Sequence, residues 1–312
     1  MTRADCRPPF LDVGGECLLV DMDTKNCSAP FVTVGDQCIF FDTFAELTYQ
    51  EARQMCHSLD SDLCVVNTAT RLKNIIDYIN DNGLGGNSFW ISGSDEATEG
   101  IWTFHSGHLV PMGTPLWAGW IDFQEPNNLY GNEDCLSLYQ PDHFYMNDIN
   151  CEIVSRALCE RPNSTTTEEL RDLPRTDCPP FFVGVGSLCL SFMTWADQTW
   201  AEARQSCHGL GGELADLTDT EDLRAIYLYL HQEGIASHSF WLGGSDEAVE
   251  DLWIWIDGTP VPKGAPFWGM ASDYLIEPDG GSSENCLLLN AEGFHYFRDA
   301  SCDFLMNPLC KI

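Results

Sequence analysis

Positive charge is what this sequence has least of. Its 312 residues carry 15 Lys and Arg against 48 Asp and Glu, a formal net charge of −33. That balance excludes a nucleic-acid partner, whose phosphates need neutralising by basic side chains. No run of about 18 apolar residues is present, so no membrane span is expected. No apolar segment follows Met1-Thr2-Arg3, so no signal peptide is read, and the sequence reads as a mature or truncated form. Neither a C-x₂-C pair nor an H-E-x-x-H helix occurs, so zinc is not indicated. Catalytic signals are missing too. His105 and His108 lack a nucleophile at an informative spacing and read as exposed loop histidines, and Ser92 and Ser94 form no nucleophile elbow. An enzyme is not expected.

Cysteine, by contrast, is plentiful at 15 residues. Such density without metal-site spacing belongs to a disulfide-bonded, secreted extracellular chain. Residues 27–159 recur as 178–310 at a constant offset of 151. Six cysteines of each copy align. Ser88–Gly100, SFWISGSDEATEG, matches Ser239–Asp251, SFWLGGSDEAVED. A repeat of this length means tandem domains. The expected organisation is an orphan hairpin over 1–24, a first domain over 25–160, a polar linker over 161–176 and a second domain over 177–312. The linker holds Asn163-Ser-Thr, a glycosylation sequon, whereas Asn26-Cys-Ser is a poor one.

Each copy opens with a Cys-x₁₀-Cys segment whose alternating apolar residues flank a Val-Gly turn, the pattern of a β-hairpin. A capping box at Thr48–Glu51 starts a helix running to about Ser58, and Thr199–Glu202 repeats it. Leu72, Ile75, Ile76 and Ile79 mark one face of a second helix over about Thr70–Asn82. Its counterpart covers about Glu221–Gln232 behind another box, Thr218–Glu221. Phe89–Ile91, Ile101–Thr103, Leu136–Tyr139 and Ala157–Cys159 read as short strands. Trp90, Trp102 and Trp117 read as core. The class is α+β, with one long Gly- and Pro-rich loop from His105 to Asn132, a length that usually means function. Cys64, aligned with Ala215, reads as a buried free thiol, the alternative being one half of an intermolecular bridge.

The chain is organised around Glu125–Asp134, EPNNLYGNED, which places three carboxylates and three side-chain amides just before Cys135. Asn147-Asp148 stands ahead of Cys151. Glu125 and Asn127, two apart in an extended segment, share a face, and a cis Pro126 brings their oxygens together. Crowded hard oxygens suit Ca²⁺. An ion with two open coordination positions takes two vicinal sugar hydroxyls. The carboxylates accept their hydrogen bonds and the Asn amides donate to them.

These residues resemble the C-type lectin-like domain, over nearly the whole chain and in two copies. The tandem arrangement looks most like that of secreted immune lectins of invertebrates, arthropods in particular. The resemblance implies disulfides Cys27–Cys38, Cys56–Cys159, Cys135–Cys151, Cys178–Cys189, Cys207–Cys310 and Cys286–Cys302, with Cys6–Cys17 clipping the orphan hairpin. Closing the roughly 100-residue Cys56–Cys159 loop is worth about 4–5 kcal/mol in the chain-entropy picture. Glu125-Pro126-Asn127 is similar to the family's EPN motif, with Glu133 eight residues after Glu125. Met146-Asn147-Asp148 stands where Trp-Asn-Asp is usual. The implied sugar-site Ca²⁺ ligands, which are also the carbohydrate ligands, are Glu125, Asn127, Glu133, Asn147 and Asp148. The implied sugars have equatorial 3- and 4-hydroxyls, such as mannose or N-acetylglucosamine. Asp95, Glu99, Asn128, Glu133 and Asp134 correspond to an auxiliary Ca²⁺ site.

The second copy departs from this pattern. Its ligand candidates are Glu277, Asp279, Glu284 and Asp299, but Arg298 takes the place of Asn147, and an arginine repels a cation. Either Arg298 replaces the metal by pairing with Glu277 or Asp279, or it swings out and a weakened site survives. Gly280 and Asn285 replace Asn128 and Asp134, although Asp246 and Glu250 persist. The function implied is calcium-dependent binding of glycans on cell or microbial surfaces, as in innate immune pattern recognition. Oligomers or the tandem domains would supply avidity. The alternative is a protein-binding module of the same fold without sugar binding.

Overall fold

The computed structural model describes residues 10–13, 16–19, 27–121, 123–161, 177–272 and 275–312, the first two stretches as backbone only. Strands β1 (Phe10–Val13) and β2 (Glu16–Leu19) pair antiparallel, with Asp12 opposite Cys17. The expected Cys6–Cys17 bridge, the Asn26 and Asn163 sequons and the linker beyond Arg161 lie outside the described residues.

The first copy begins with β3 (Val32–Val34) and β4 (Gln37–Phe41), a hairpin clipped by Cys27–Cys38. Helix α1 (Tyr49–Ser58) starts at Thr48, whose backbone N–H donates to the Glu51 carboxylate at 3.0 Å. After β5 (Asp62–Leu63), α2 (Ala69–Asp81) buries Leu72, Ile75, Ile76 and Ile79, the stripe its spacing predicts. Then come β6 (Phe89–Ser94), β7 (Gly119–Trp120), β8 (Phe123–Gln124), β9 (Cys135–Leu138), β10 (Met146–Ile149) and β11 (Arg156–Glu160). The main sheet runs β10-β9-β6-β11-β4-β3, with β5 also on β11 and a parallel pairing of β6 with β11. Cys56–Cys159 fastens α1 to this sheet, and Cys135–Cys151 ties the start of β9 to the residues after β10.

The second copy repeats the order with one strand added, β16: β12 (Val183–Val185), β13 (Leu188–Phe192), α3 (Trp200–Gly209), β14 (Glu213–Leu214), α4 (Thr220–Gln232), β15 (Phe240–Ser245), β16 (Ile254–Trp255), β17 (Met270–Ser272), β18 (Leu275–Ile276), β19 (Cys286–Asn290), β20 (Tyr296–Ala300) and β21 (Asn307–Lys311). Its bridges are Cys178–Cys189, Cys207–Cys310 and Cys286–Cys302, so all six pairings among described residues match the expected framework. Cys64 is the free cysteine among them, fully buried, and burial pushes its thiol pKa well up.

Three local expectations change. Ile101–Thr103 is no strand: Thr103 makes single bridges to Ser94 and Leu109, and Ile101 is half exposed. Strand β10 was not anticipated, because its central Asn147 and Asp148 carry low strand propensity and are held by pairing to Ser137 and Leu136 on β9. Helix α4 is capped by Asp219, which accepts from Glu221 N at 2.8 Å, rather than by a box from Thr218. Glu221 instead accepts from Thr70 N, at the start of α2, at 2.7 Å.

That contact lies on an approximate two-fold relation between the copies. Tyr145 donates its hydroxyl to the Trp268 carbonyl and Tyr296, its counterpart, to the Trp117 carbonyl, both at 2.6 Å. The two rings meet edge to face at 5.1 Å. Met270 and Tyr296 are buried in one apolar cluster with Leu116, Trp117 and Tyr145 of the first copy.

Candidate functional site

The long loop returns to the sheet at Glu125, whose N–H donates to Ala118 O at 2.9 Å, and the Glu125–Pro126 bond is cis. Burial then concentrates charge. Glu125 is 4 % exposed, Asp148 1 % and Asn147 8 %. Asn127 Nδ2 donates to Glu125 Oε2, and Asn147 Nδ2 donates to Glu125 Oε1 at 3.0 Å. Asp148 clamps the loop backbone, accepting from Asn127 N at 3.0 Å and Asn128 N at 2.7 Å. Glu133 accepts from Leu129 N at 2.7 Å, and its own N–H donates to Asn128 Oδ1 at 3.2 Å.

Negative charge is concentrated in this cluster. Burial, followed by Asp148, Asp142 and Glu133, pushes the Glu125 pKa up to about 10. Burial and then Asp148 raise that of Glu133. Asn127 Oδ1 is buried with no hydrogen-bond partner, a costly state for an amide oxygen. Such an orphaned oxygen beside carboxylates that repel one another fits a divalent cation. All five sugar-site candidates therefore converge on one loop and the adjoining strand. Trp120, at the head of the loop, stacks on Phe123 at 4.0 Å between centroids.

Sequence reasoning missed Asp142. It sits buried on the 3₁₀ turn Gln140–Asp142 and accepts from Asn147 Nδ2 at 2.7 Å. Gly293 occupies the aligned position, so comparing the copies was the one available signal.

The auxiliary candidates are looser. Asp95 is 2 % exposed, and its Oδ2 accepts from Gly100 N at 2.8 Å while its buried Oδ1 has no partner. Burial, then Glu99, Asp134 and Asp148 raise its pKa. Glu99 itself is exposed, and Asn128 Oδ1 is engaged by Glu133 N. His105 is half-buried, not exposed, with Nε2 3.1 Å from the Tyr49 hydroxyl.

In the second copy Asp299 repeats the clamp, accepting from Asp279 N at 3.3 Å and Gly280 N at 2.9 Å. Ligand oxygens of Glu277, Asp279 and Asp299 lie within 4.8 Å of one another. Arg298, however, points inward, its Nε 3.3 Å from Glu277 Oε1. Burial and the neighbouring Asp299 still raise the Glu277 pKa, and Glu277 Oε2 is buried without a hydrogen-bond partner. Glu284, Arg298 and Asp299 border a cleft of about 390 Å³. Asp246 keeps a buried, unpartnered Oδ1.

Comparison with known proteins agrees with this architecture. A mouse protein, CD209 antigen-like protein D, is 28 % identical over 121 residues, which is 38 % of this chain and 46 % of that protein. The chain thus spans about half the length of this relative. Galactose-specific lectin nattectin of Thalassophryne nattereri is 30 % identical over 138 residues, 44 % of this chain and 76 % of that protein. Type-2 ice-structuring protein of Hemitripterus americanus is 27 % identical over 136 residues, 44 % of this chain and 75 % of that protein. The profile of the family described as "Lectin C-type domain" matches residues 45–161 and again 196–312. Two matched stretches, two copies of the α+β sheet and six disulfides among the described residues make this chain a member of the C-type lectin domain family, with the domain present twice in tandem.

Proposed function

We propose that the first domain is a Ca²⁺-dependent carbohydrate-binding site of the mannose and N-acetylglucosamine type, acting on glycans of cell or microbial surfaces outside the cell, in the manner of innate immune recognition. One observation carries the reading: Glu125, Asn127, Asn147 and Asp148 share one buried cluster in which Asn127 Oδ1 is orphaned and Glu125 is driven toward protonation. Glu125, Asn127, Glu133, Asn147 and Asp148 are the residues that would hold the ion, which supplies a dication able to bind two vicinal hydroxyls. Glu125 and Glu133 accept hydrogen bonds from those hydroxyls, and the two Asn amides donate to them. Asp148 keeps the loop in place through its two backbone bonds. Asp95, with Glu99, Asn128, Glu133 and Asp134, is the candidate for a second, structural ion.

The second domain is read differently. Arg298 on Glu277 supplies an internal positive charge where the first domain presents Asn147. This domain then works without Ca²⁺ and is the part of the chain to which the alternative, a protein-binding module, applies. An ice-structuring protein among the relatives supports the view that the fold serves other ligands.

The test is retention of the intact chain on mannose-agarose in Ca²⁺ and its release by EDTA. Passage straight through the column in Ca²⁺ would defeat the sugar reading and leave the protein-binding one.

A further inference from the structure

We infer that the second domain positions the first domain's ion site, with Tyr296 and Arg224 holding the floor from which Glu125 and Asn147 hang. The inference rests on the Ca²⁺ reading above and adds a role for the domain that Arg298 has plugged.

The floor is Met112–Ala118. Ala118 O accepts from Glu125 N at 2.9 Å, Leu116 O accepts from Met146 N at 2.9 Å, and Ala118 N donates to Met146 O at 3.0 Å. One short segment thereby fixes both Glu125 and the residue before Asn147. Gly113 O and the Trp117 indole N–H are satisfied within the first domain, and four further polar groups of the segment are held from the other domain. The Tyr296 hydroxyl donates to Trp117 O at 2.6 Å, between two rings that are fully buried. Arg224 Nη1 donates to Met112 O and, at 2.8 Å, to Thr114 O. Thr114 Oγ1 donates to Phe294 O. Tyr227 lies against Gly113, where φ is +80° and a Cβ would sit 2.3 Å from the phenol oxygen. A side chain at 113 is excluded by both conformation and space.

The reverse grip is weak, and the repeat allows a residue-by-residue comparison. Tyr145 to Trp268 O is conserved between the copies. Lys73, at the position of Arg224, turns to Asp77 on its own helix. Ala265, at the position of Thr114, has no hydroxyl to donate. Ile76, at the position of Tyr227, leaves a cleft of about 260 Å³ that it lines with Asn80, His143, Phe144, Gly264 and Ala265. The domain pair is therefore built one-sidedly. The domain with an internal cation braces the one without. A braced loop needs less ordering when it takes up an ion, and preordering of this kind appears as affinity. By linkage, the ion tightens the domain contact by the same factor.

The experiment is Ca²⁺ titration calorimetry on the intact chain, paired with the thermal midpoint in EDTA and in Ca²⁺. Tyr296→Phe removes one buried hydrogen bond, and Arg224→Lys keeps the charge but loses the paired geometry. Each should weaken the first-domain affinity about three- to five-fold, the whole worth of one such bond being the ceiling, and shrink the Ca²⁺-induced rise in midpoint. Glu221→Gln, which alters the contact to Thr70 on the helix side, should leave affinity within about two-fold. Wild-type affinity in both Tyr296→Phe and Arg224→Lys overturns the inference. So does a lowered midpoint with an undiminished Ca²⁺-induced rise, the mark of a merely structural contact, and so does an equal loss in Glu221→Gln. Absence of Ca²⁺ uptake by the wild type overturns the Ca²⁺ reading itself, and the inference with it.

Discussion

Replacing Glu125 by Gln should make the metal-free protein more stable while destroying its response to Ca²⁺. Glu125 is 4 % exposed, and its pKa without a cation rises to about 10 from an ordinary 4.5, chiefly through burial and then through Asp148. A carboxyl whose folded pKa is raised contributes stability that is complete below the unfolded value and is lost as pH climbs toward the folded one. At pH 7.5 the fold must hold a proton about three units above that unfolded value. At about 1.4 kcal/mol per unit the cost has a ceiling of about 4 kcal/mol. A glutamine has nearly the shape of the protonated acid and no proton to hold, and its Nε2 can donate to Asn127 once that amide turns its unpartnered Oδ1 inward, but it offers a dication no charge. Glu125→Gln in EDTA at pH 7.5 should gain about 2–4 kcal/mol, on the order of 5–10 °C in the midpoint. The gain should vanish by about pH 4.5. Denaturant melts of wild type and variant across pH 4.5–8.5, in EDTA and in Ca²⁺, read both effects. A variant less stable than wild type in EDTA at neutral pH, or one that keeps the Ca²⁺-induced rise, refutes the reasoning.

Three further outcomes follow from the same geometry. Arg298→Asn removes the guanidinium 3.3 Å from Glu277 and should add a Ca²⁺ site in the second domain, with a dissociation constant of about 10⁻⁴–10⁻³ M; unchanged calorimetric stoichiometry would count against Arg298 as the internal cation. On the proposed Ca²⁺ reading, Glu125 would take up a proton when the ion leaves, and the Ca²⁺ needed for half-maximal mannose retention should rise about tenfold per unit between pH 8 and 6, with release complete near pH 4.5; a flat profile would contradict this. Cys64, fully buried with its thiol pKa pushed up, should resist alkylation in the native protein and react on unfolding, and Cys64→Ala, the residue at 215, should cost less than about 1.5 kcal/mol in a denaturant melt.

Both capping boxes at Thr48 and Thr199 and the apolar stripe of α2 were legible in the sequence, because each depends on near neighbours in the chain. The disulfide pairings followed from the family resemblance, not from cysteine spacing alone. Glu125, Asn127, Asn147 and Asp148 were legible as candidates because they stand in two oxygen-rich stretches, one ahead of Cys135 and one ahead of Cys151. The strand that carries two of them was not, because Asn147 and Asp148 obscure its pattern. Tertiary structure alone brought Asp142 onto Asn147, turned Arg298 inward onto Glu277 and took Glu221 from its own helix to Thr70. The first two pairs meet through the packing of elements inside one domain and the third through the packing of two domains, neither of which near neighbours in the chain reveal. The sequence by itself determined two disulfide-stapled copies and a loop rich in oxygen. The turn of Arg298 onto Glu277 inside its own domain set the two acid clusters apart, and the contacts across the domain pair decided which domain is proposed to brace the other.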